Sequence, residues 1–220
     1  MRIDQNQLKL YAITDERWLN NRSLVEVVQE LIAGGVTCLQ YRDKVKSMDE
    51  KEKMALQLKN ICDQAQIPFI INDDVNLAAK IHADGVHLGQ KDCDVKTARK
   101  ILGERAIIGV SARTVRDALL AQENGADYLG SGAVFGTATK EDASFLGVDC
   151  FSKICEAVQI PVVAIGGISL QSIPQLKESG VSGVAVVSQL FAAKTPQRAA
   201  QQFIQVINEN IEMEYVCDRY

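Results

Sequence analysis

The residues best equipped for chemistry in this sequence sit in short polar clusters, each directly after a run of Val, Ile and Leu. The first is Gln40-Tyr41-Arg42-Asp43-Lys44. If residues 36–41 form a strand, alternation sends Gln40, Arg42 and Lys44 to one side, an amide and two cations that could clamp an anion. Lys44 alone reads as an ordinary solvated lysine, whereas Arg42, flush with the strand end, is harder to set aside. Asn72-Asp73-Asp74 follows the next apolar run. One of its acids serves to cap a helix beginning near Val75, which leaves the other over. His87-Leu88-Gly89-Gln90-Lys91-Asp92 supplies a further acid. Two carboxylates after neighbouring strands, with cations one strand away, are the ingredients of a Mg2+-bound phosphate, because Mg2+ takes one or two carboxylates and fills its remaining positions with phosphate oxygens and water. His87 could be a base or a hydrogen-bonded histidine near the mouth of the site, and the spacing leaves both open.

The later clusters suit anions without a metal. Ser111 could bind an anion, while Thr114 suits a helix cap. The long segment 132–140 holds two hydroxyls, one ammonium and small residues that expose backbone N–H groups, a composition fit for phosphate binding or a mobile lid. Gly166-Gly167-Ile168 and Val187-Ser188 follow the seventh and eighth apolar runs. In barrels those two loops, with a short extra helix, most often hold a phosphate. The pattern implies one phosphate there and a second, metal-assisted anion near the second to fourth strands.

Clusters spaced in this way need a scaffold that returns each one to the same end of a sheet. Short apolar runs at 8–13, 36–41, 68–71, 85–88, 106–110, 128–130, 162–165 and 183–187 read as strands buried on both faces. Helical patterns lie between them at 23–33, 48–64, 76–81, 95–102, 115–123, 148–157 and 170–177, with a last one at 196–210 that Thr195 could cap and Pro196 could open. Eight strands alternating with eight helices, without a linker, predict an α/β fold: a single (β/α)8 TIM barrel with its active site at the C-terminal ends of the strands. A doubly wound open sheet is the alternative. It calls for a glycine-rich turn after the first strand, where the chain has Thr14-Asp15-Glu16.

The chain has 220 residues, 47% hydrophobic and 24% charged, a globular make-up whose length suits one barrel domain over 1–220, with 211–220 a tail of unassigned role. Its 24 Lys and Arg against 28 Asp and Glu leave a net charge of −4. That balance carries no nucleic-acid or membrane-surface footprint, although a local basic pocket remains open. The first ten residues are charged and lack the apolar stretch of a signal peptide, and no apolar run approaches the roughly 20 residues of a membrane span. Six cysteines (Cys38, Cys62, Cys93, Cys150, Cys155 and Cys217) form no C-x-x-C pair, and His82 and His87 do not sit with them at zinc spacing. Reduced thiols in a cytoplasmic protein are the expectation.

In order along the chain, Gln40-x-Arg42-x-Lys44, Ile71-Asn72-Asp73-Asp74, Asp84-Gly85-Val86-His87-Leu88-Gly89-Gln90-x-Asp92, Gly109-Val110-Ser111, Thr137-x-Thr139-Lys140 and Ile165-Gly166-Gly167-Ile168 together resemble the thiamine-phosphate synthase family. The double glycine is common among barrels, but the ordered set, running from about Leu10 to Phe203, is specific. The resemblance implies a transferase that joins 4-amino-2-methyl-5-hydroxymethylpyrimidine diphosphate to 4-methyl-5-(2-phosphooxyethyl)thiazole and releases thiamine phosphate and pyrophosphate. A thiazole carboxylate, used with loss of CO2, is a second form of the acceptor. It further implies that Gln40, Tyr41, Arg42, Asp43, Lys44, Asn72, Ser111 and Lys140 hold the pyrimidine diphosphate, with Arg42, Lys44, Ser111 and Lys140 acting in catalysis. Thr137, Ala138, Thr139, Gly167, Val187 and Ser188 would hold the thiazole phosphate, and Asp73 and Asp92 one Mg2+ per subunit. The partners are then small phosphorylated molecules, and a homo-oligomer stays open. The chain departs from the family at Ala133 and Gly136, where prolines are usual, which loosens the unbound loop. Two other readings are a thiazole tautomerase of the same superfamily and a non-catalytic sensor of phosphate ligands. Retention of Arg42, Lys44, Asp73, Asp92 and Lys140 speaks against the tautomerase, which needs neither diphosphate nor metal.

Overall fold

The computed structural model describes residues 2–136 and 145–211. Eight parallel strands, β1 (Leu10–Ile13), β2 (Cys38–Tyr41), β3 (Phe69–Asn72), β4 (Gly85–Leu88), β5 (Ile107–Ala112), β6 (Tyr128–Gly132), β7 (Val162–Ile165) and β8 (Gly183–Val186), pair in sequence order and close into a barrel. β8 returns to β1 in the register Leu10↔Val184 and Tyr11↔Ala185. Period-two alternation divides each strand between two buried surfaces. Leu10, Ala12, Leu39, Tyr41, Phe69 and Ile71 pack outward against the helices, while Tyr11, Ile13, Cys38 and Ile70 fill the interior.

The helices are α1 (Gln5–Leu8), α2 (Leu24–Ala33), α3 (Met48–Ala65), α4 (Val75–Lys80), α5 (Val95–Leu102), α6 (Val115–Glu123), α7 (Val148–Ala157), α8 (Ser188–Phe191) and α9 (Pro196–Asn210). Their starts follow side-chain chemistry. Ser47 and Glu50 form a capping box at α3, and Asp74, Asp94 and Thr114 accept the N–H groups of Leu77, Thr97 and Asp117. Thr195 makes no side-chain cap bond at α9.

Two regions differ from the sequence reading. The helix expected over 170–177 is only a 3-10 turn, Ile173–Leu176. The turn stops there because Lys177 (φ −54°, ψ 135°) and then Glu178 (φ 66°) leave helical geometry. The other region is the N-terminal segment, where Ile3 and, on α1, Leu8 join the interior cluster. Arg2 anchors this segment on Asp127 (2.9 Å), which Arg99 also holds (2.7 Å). A four-residue helix is too short to show a hydrophobic period.

Among the described residues no helix is long and apolar enough to cross a membrane. Cys38, Cys62, Cys93, Cys150 and Cys155 are free thiols.

Candidate active site

At the C-terminal end of the barrel lies a cavity of about 640 Å³, and Gln40, Arg42, Asn72, Ser111, Gly167, Val187 and Ser188 all line it. Their convergence follows from register. Gln40 lies opposite Ile13, Asn72 opposite His87, and Ser111 opposite Gly130, so residues far apart in sequence reach one level of the barrel. Gln40 is 2% exposed, and as an interior position between Leu39 and Tyr41 it has no solvent to satisfy its amide.

The floor of the cavity satisfies it. Gln40 Nε2 donates to the Tyr11 hydroxyl (2.9 Å), which lies 2.8 Å from the Tyr128 hydroxyl. Tyr128 in turn meets His87 Nδ1 (3.0 Å), and His87 Nε2 meets Ser111 Oγ (3.0 Å). Burial first, and then mutual contact, raises the Tyr11 phenol well above the ordinary tyrosine range, and burial does the same to Tyr128. Both phenols are therefore neutral hydrogen-bonding groups. A Cβ at Gly109 would strike the Tyr128 ring and one at Gly130 the His87 ring, so these two strand glycines make room for the network.

Arg42 is seated through its backbone. Its N–H donates to Thr14 Oγ1 (2.8 Å), and that hydroxyl donates back to the Arg42 carbonyl (3.1 Å). Its charge also acts on the buried Asp15. Burial pushes that carboxyl up, but bonds from Arg17 and the charges of Arg17 and Arg42 outweigh it and hold the group below the usual range. Of the residues that the resemblance places around the diphosphate and its metal, Tyr41, Asp43, Lys44, Asp73 and Asp92 do not line the cavity. Tyr41 is packed in the outer core, and Asp43 accepts the backbone N–H groups of Val45 (2.8 Å) and Lys46 (2.9 Å). Alternation, which sends Gln40 and Arg42 inward, sends these two outward, so their work is to shape the loop.

The acid pair divides its tasks. Asp74 caps α4 (2.9 Å to Leu77 N), while Asp73 adopts a left-handed backbone, φ 63°, with its N–H on the His87 carbonyl (2.8 Å). A non-glycine residue held there costs on the order of 1 kcal/mol, and such strain gathers at functional sites. Burial, and next the hydrogen-bonded carboxyl of Asp92, raises Asp73 above the usual carboxylate range, with Lys44 and Asn72 pulling the other way. Asp92 is held by the Gly89 N–H (2.8 Å). Two facing carboxyls whose negative charge is poorly compensated fit a cation. Among the described residues no three His, Cys, Asp or Glu side chains cluster into a metal site.

On the opposite wall, Gly166 and Gly167 have φ of 89° and 68°. Side chains there would collide with Ala133, Phe135 and the Gly136 carbonyl, since Val134 N and Phe135 N bond to the carbonyls of Ile165 (2.9 Å) and Gly166 (3.0 Å). The glycines therefore serve loop packing. Thr137, Ala138, Thr139 and Lys140 lie outside the described residues.

Sequence reasoning missed Tyr11, Thr14, Trp18, Arg113 and Tyr128, all of which line the cavity. Buried Nε1 of Trp18 has no hydrogen-bond partner among the described residues, a donor a ligand could use. For Thr14 the signal was its place right after the first strand. For Tyr128 it was the glycine inside β5, which marks a close approach.

Comparison with known proteins agrees with this geometry. The profile of a family described as thiamine monophosphate synthase matches residues 10–190. A thiamine-phosphate synthase of Clostridium tetani is 44% identical over 200 residues, 91% of this chain and 96% of that protein. One from Ruminiclostridium cellulolyticum is 42% identical over 197 residues, 90% of this chain and 94% of that one. Among solved structures, a thiamine phosphate pyrophosphorylase from Pyrococcus furiosus superposes with a TM-score of 0.87 at 36% identity, covering 94% of this chain and 99% of that one. The chain belongs to the thiamine monophosphate synthase family.

Proposed function

We propose that this enzyme forms thiamine phosphate by joining 4-amino-2-methyl-5-hydroxymethylpyrimidine diphosphate to the ring nitrogen of 4-methyl-5-(2-phosphooxyethyl)thiazole, or of its carboxylate form with loss of CO2, and releases pyrophosphate. The observation that carries this reading is one cavity with two unlike walls. One bears Arg42 and Ser111, with Asp73 and Asp92 beyond Asn72, and the other bears Gly167, Val187 and Ser188.

As the pyrimidine–oxygen bond breaks, negative charge grows on the pyrophosphate and positive charge on the pyrimidine methylene. Arg42 and Lys44 meet the negative charge, with Lys140 as a third cation from the loop after β6, and Ser111 donates to the same group. Preorganised donors aimed where charge develops are worth roughly 2.7–4 kcal/mol each. Asp73 and Asp92 would hold one Mg2+ per subunit, which when bound neutralises diphosphate charge. The aminopyrimidine ring delocalises the positive charge, so no protein nucleophile is required. Thr137, Ala138, Thr139, Gly167, Val187 and Ser188 hold the thiazole phosphate, fixing the attacking nitrogen in line. Ile13, Val163 and Ile165 keep the reacting centre apolar. The free thiols support a cytoplasmic setting.

The test is incubation of the purified protein with both substrates and Mg2+, followed by chromatography for thiamine phosphate and pyrophosphate. Formation of both in equal amounts is expected, and their absence with correctly folded protein would overturn the reading.

A further inference from the structure

We propose that Tyr128 and His87 are positioning residues that aim the hydrogen of the Ser111 hydroxyl into the cavity, by carrying a one-way chain of hydrogen bonds from Gln40. The chain links β2, β1, β6, β4 and β5 across the barrel interior through contacts of 2.9, 2.8, 3.0 and 3.0 Å. Its direction follows from donor counting. The Gln40 Nε2 amide can only donate, so the Tyr11 oxygen accepts and the single Tyr11 hydrogen turns to Tyr128. Tyr128 then has its own hydrogen to give, and His87 Nδ1 receives it. A neutral imidazole whose Nδ1 accepts carries its proton on Nε2, and that proton goes to Ser111 Oγ. The Ser111 hydrogen is left over, and Ser111 lines the cavity.

Burial is what makes this order persistent. Tyr128 is 0% and Tyr11 2% exposed, and a misdirected bond in such surroundings leaves a donor or acceptor unsatisfied. The Ser111 backbone is fixed separately, its carbonyl accepting from Gln90 Nε2 (2.6 Å). Reorienting the hydroxyl therefore means reversing the chain rather than moving the strand. At its far end the chain presents a hydroxyl donor, Ser111, on the cavity lining, which suits an anionic group of the ligand. The catalytic consequence rests on the reading of Ser111 as a contact to the diphosphate, whereas the direction of the chain does not.

Two measurements test the two parts. The chain has only two histidines, so long-range 1H–15N spectra of histidine-labelled protein, at a pH where the rings are neutral, resolve the His87 tautomer without any substrate. The proposal requires Nε2–H in the parent and a mixture of tautomers in Tyr128→Phe. An Nδ1–H tautomer in the parent would overturn it. For catalysis, Tyr128→Phe should lower kcat about tenfold, the size of one misdirected hydrogen bond, with the thiazole KM unchanged. Added to Ser111→Ala it should cost nothing more, because residues acting through one group are not additive. Equal losses in both backgrounds would show a merely structural tyrosine and overturn the positioning role. Circular dichroism confirms that each variant is folded. An inactive parent with the Nε2–H tautomer would sink the proposed function and leave the direction of the chain standing.

Discussion

On the proposed reading, the two walls of the cavity recognise anions by different means. The wall after β2 to β4 would use charge: Arg42 lines the cavity after β2, while Lys44, on the same loop, and the Asp73–Asp92 pair, after β3 and β4, lie outside its lining, with Lys44 and Asp92 exposed. The wall after β7 and β8 would use shape, with two left-handed glycines, Ser188 and a loop hydrogen-bonded alongside them. Charge suits a leaving diphosphate, whose charge changes during reaction and needs a strong field. Shape suits a phosphate that only has to be held still. One barrel end would then separate transition-state stabilisation from positioning by assigning them to side chains and to backbone.

If that division holds, Arg42→Ala should give the largest effect, a loss of about 10²–10³ in kcat with a small change in the thiazole KM. Steady-state kinetics with each substrate varied in turn checks it. Comparable rises in both KM values at unchanged kcat would merge the two walls into one site. Asp92→Asn comes next. Losing an outer partner of a metal ligand already costs about 10–100-fold in affinity, so losing a ligand should raise the Mg2+ requirement by about a hundredfold. Titration of activity against Mg2+ reads this directly, and an unchanged midpoint would remove the metal from this wall.

On the other wall Ser188→Ala should do less. One neutral hydrogen bond is worth about 0.5–1.5 kcal/mol, which corresponds to a few-fold to tenfold rise in the thiazole KM and no change for the pyrimidine. A larger effect on the pyrimidine would reverse the assignment. The smallest effect is expected for Asp43, which shapes the charged wall from behind. Burial raises its pKa, but the N–H groups of Lys46 and Val45 and the Lys46 ammonium outweigh burial and leave it lowered. A lowered acid contributes stability above its unfolded pKa and loses it as the pH falls through the folded value. Asp43→Asn keeps an acceptor but loses the charge paired with Lys46 (3.2 Å), so it should cost about 0.2–1 kcal/mol at neutral pH. In urea melts the gap between variant and parent should begin to narrow below about pH 4, where unfolded aspartate protonates, and close as the pH falls through the lower folded value. A gap that persists in acid would mean that packing, and not charge, holds the loop.

Much of this arrangement was legible in the residues alone. The eight strands and most helices show because a strand buried on both faces must be apolar throughout, and because amphipathic helices repeat with their own period. Polar clusters directly after those strands mark the working end of the barrel, and Gln40, Arg42, Asn72, Ser111, Gly167 and Ser188 indeed share one cavity. The sequence leaves undecided which acid of Asp73-Asp74 caps α4, a matter of backbone conformation at Asp73. For Tyr41 and Asp43 alternation already points away from the cavity, where their side chains lie, and only the resemblance had grouped them with Gln40 and Arg42.

What the sequence by itself determined was therefore the order of elements and the end of the barrel where chemistry gathers, both set by local patterns of apolar and polar residues. Only the tertiary structure decided the floor of the site. Tyr11 and Tyr128 are 117 residues apart, and their hydroxyls meet because closure of the barrel brings β1 and β6 face to face across its interior. No spacing along the chain encodes that contact, because it exists only once all eight strands have closed.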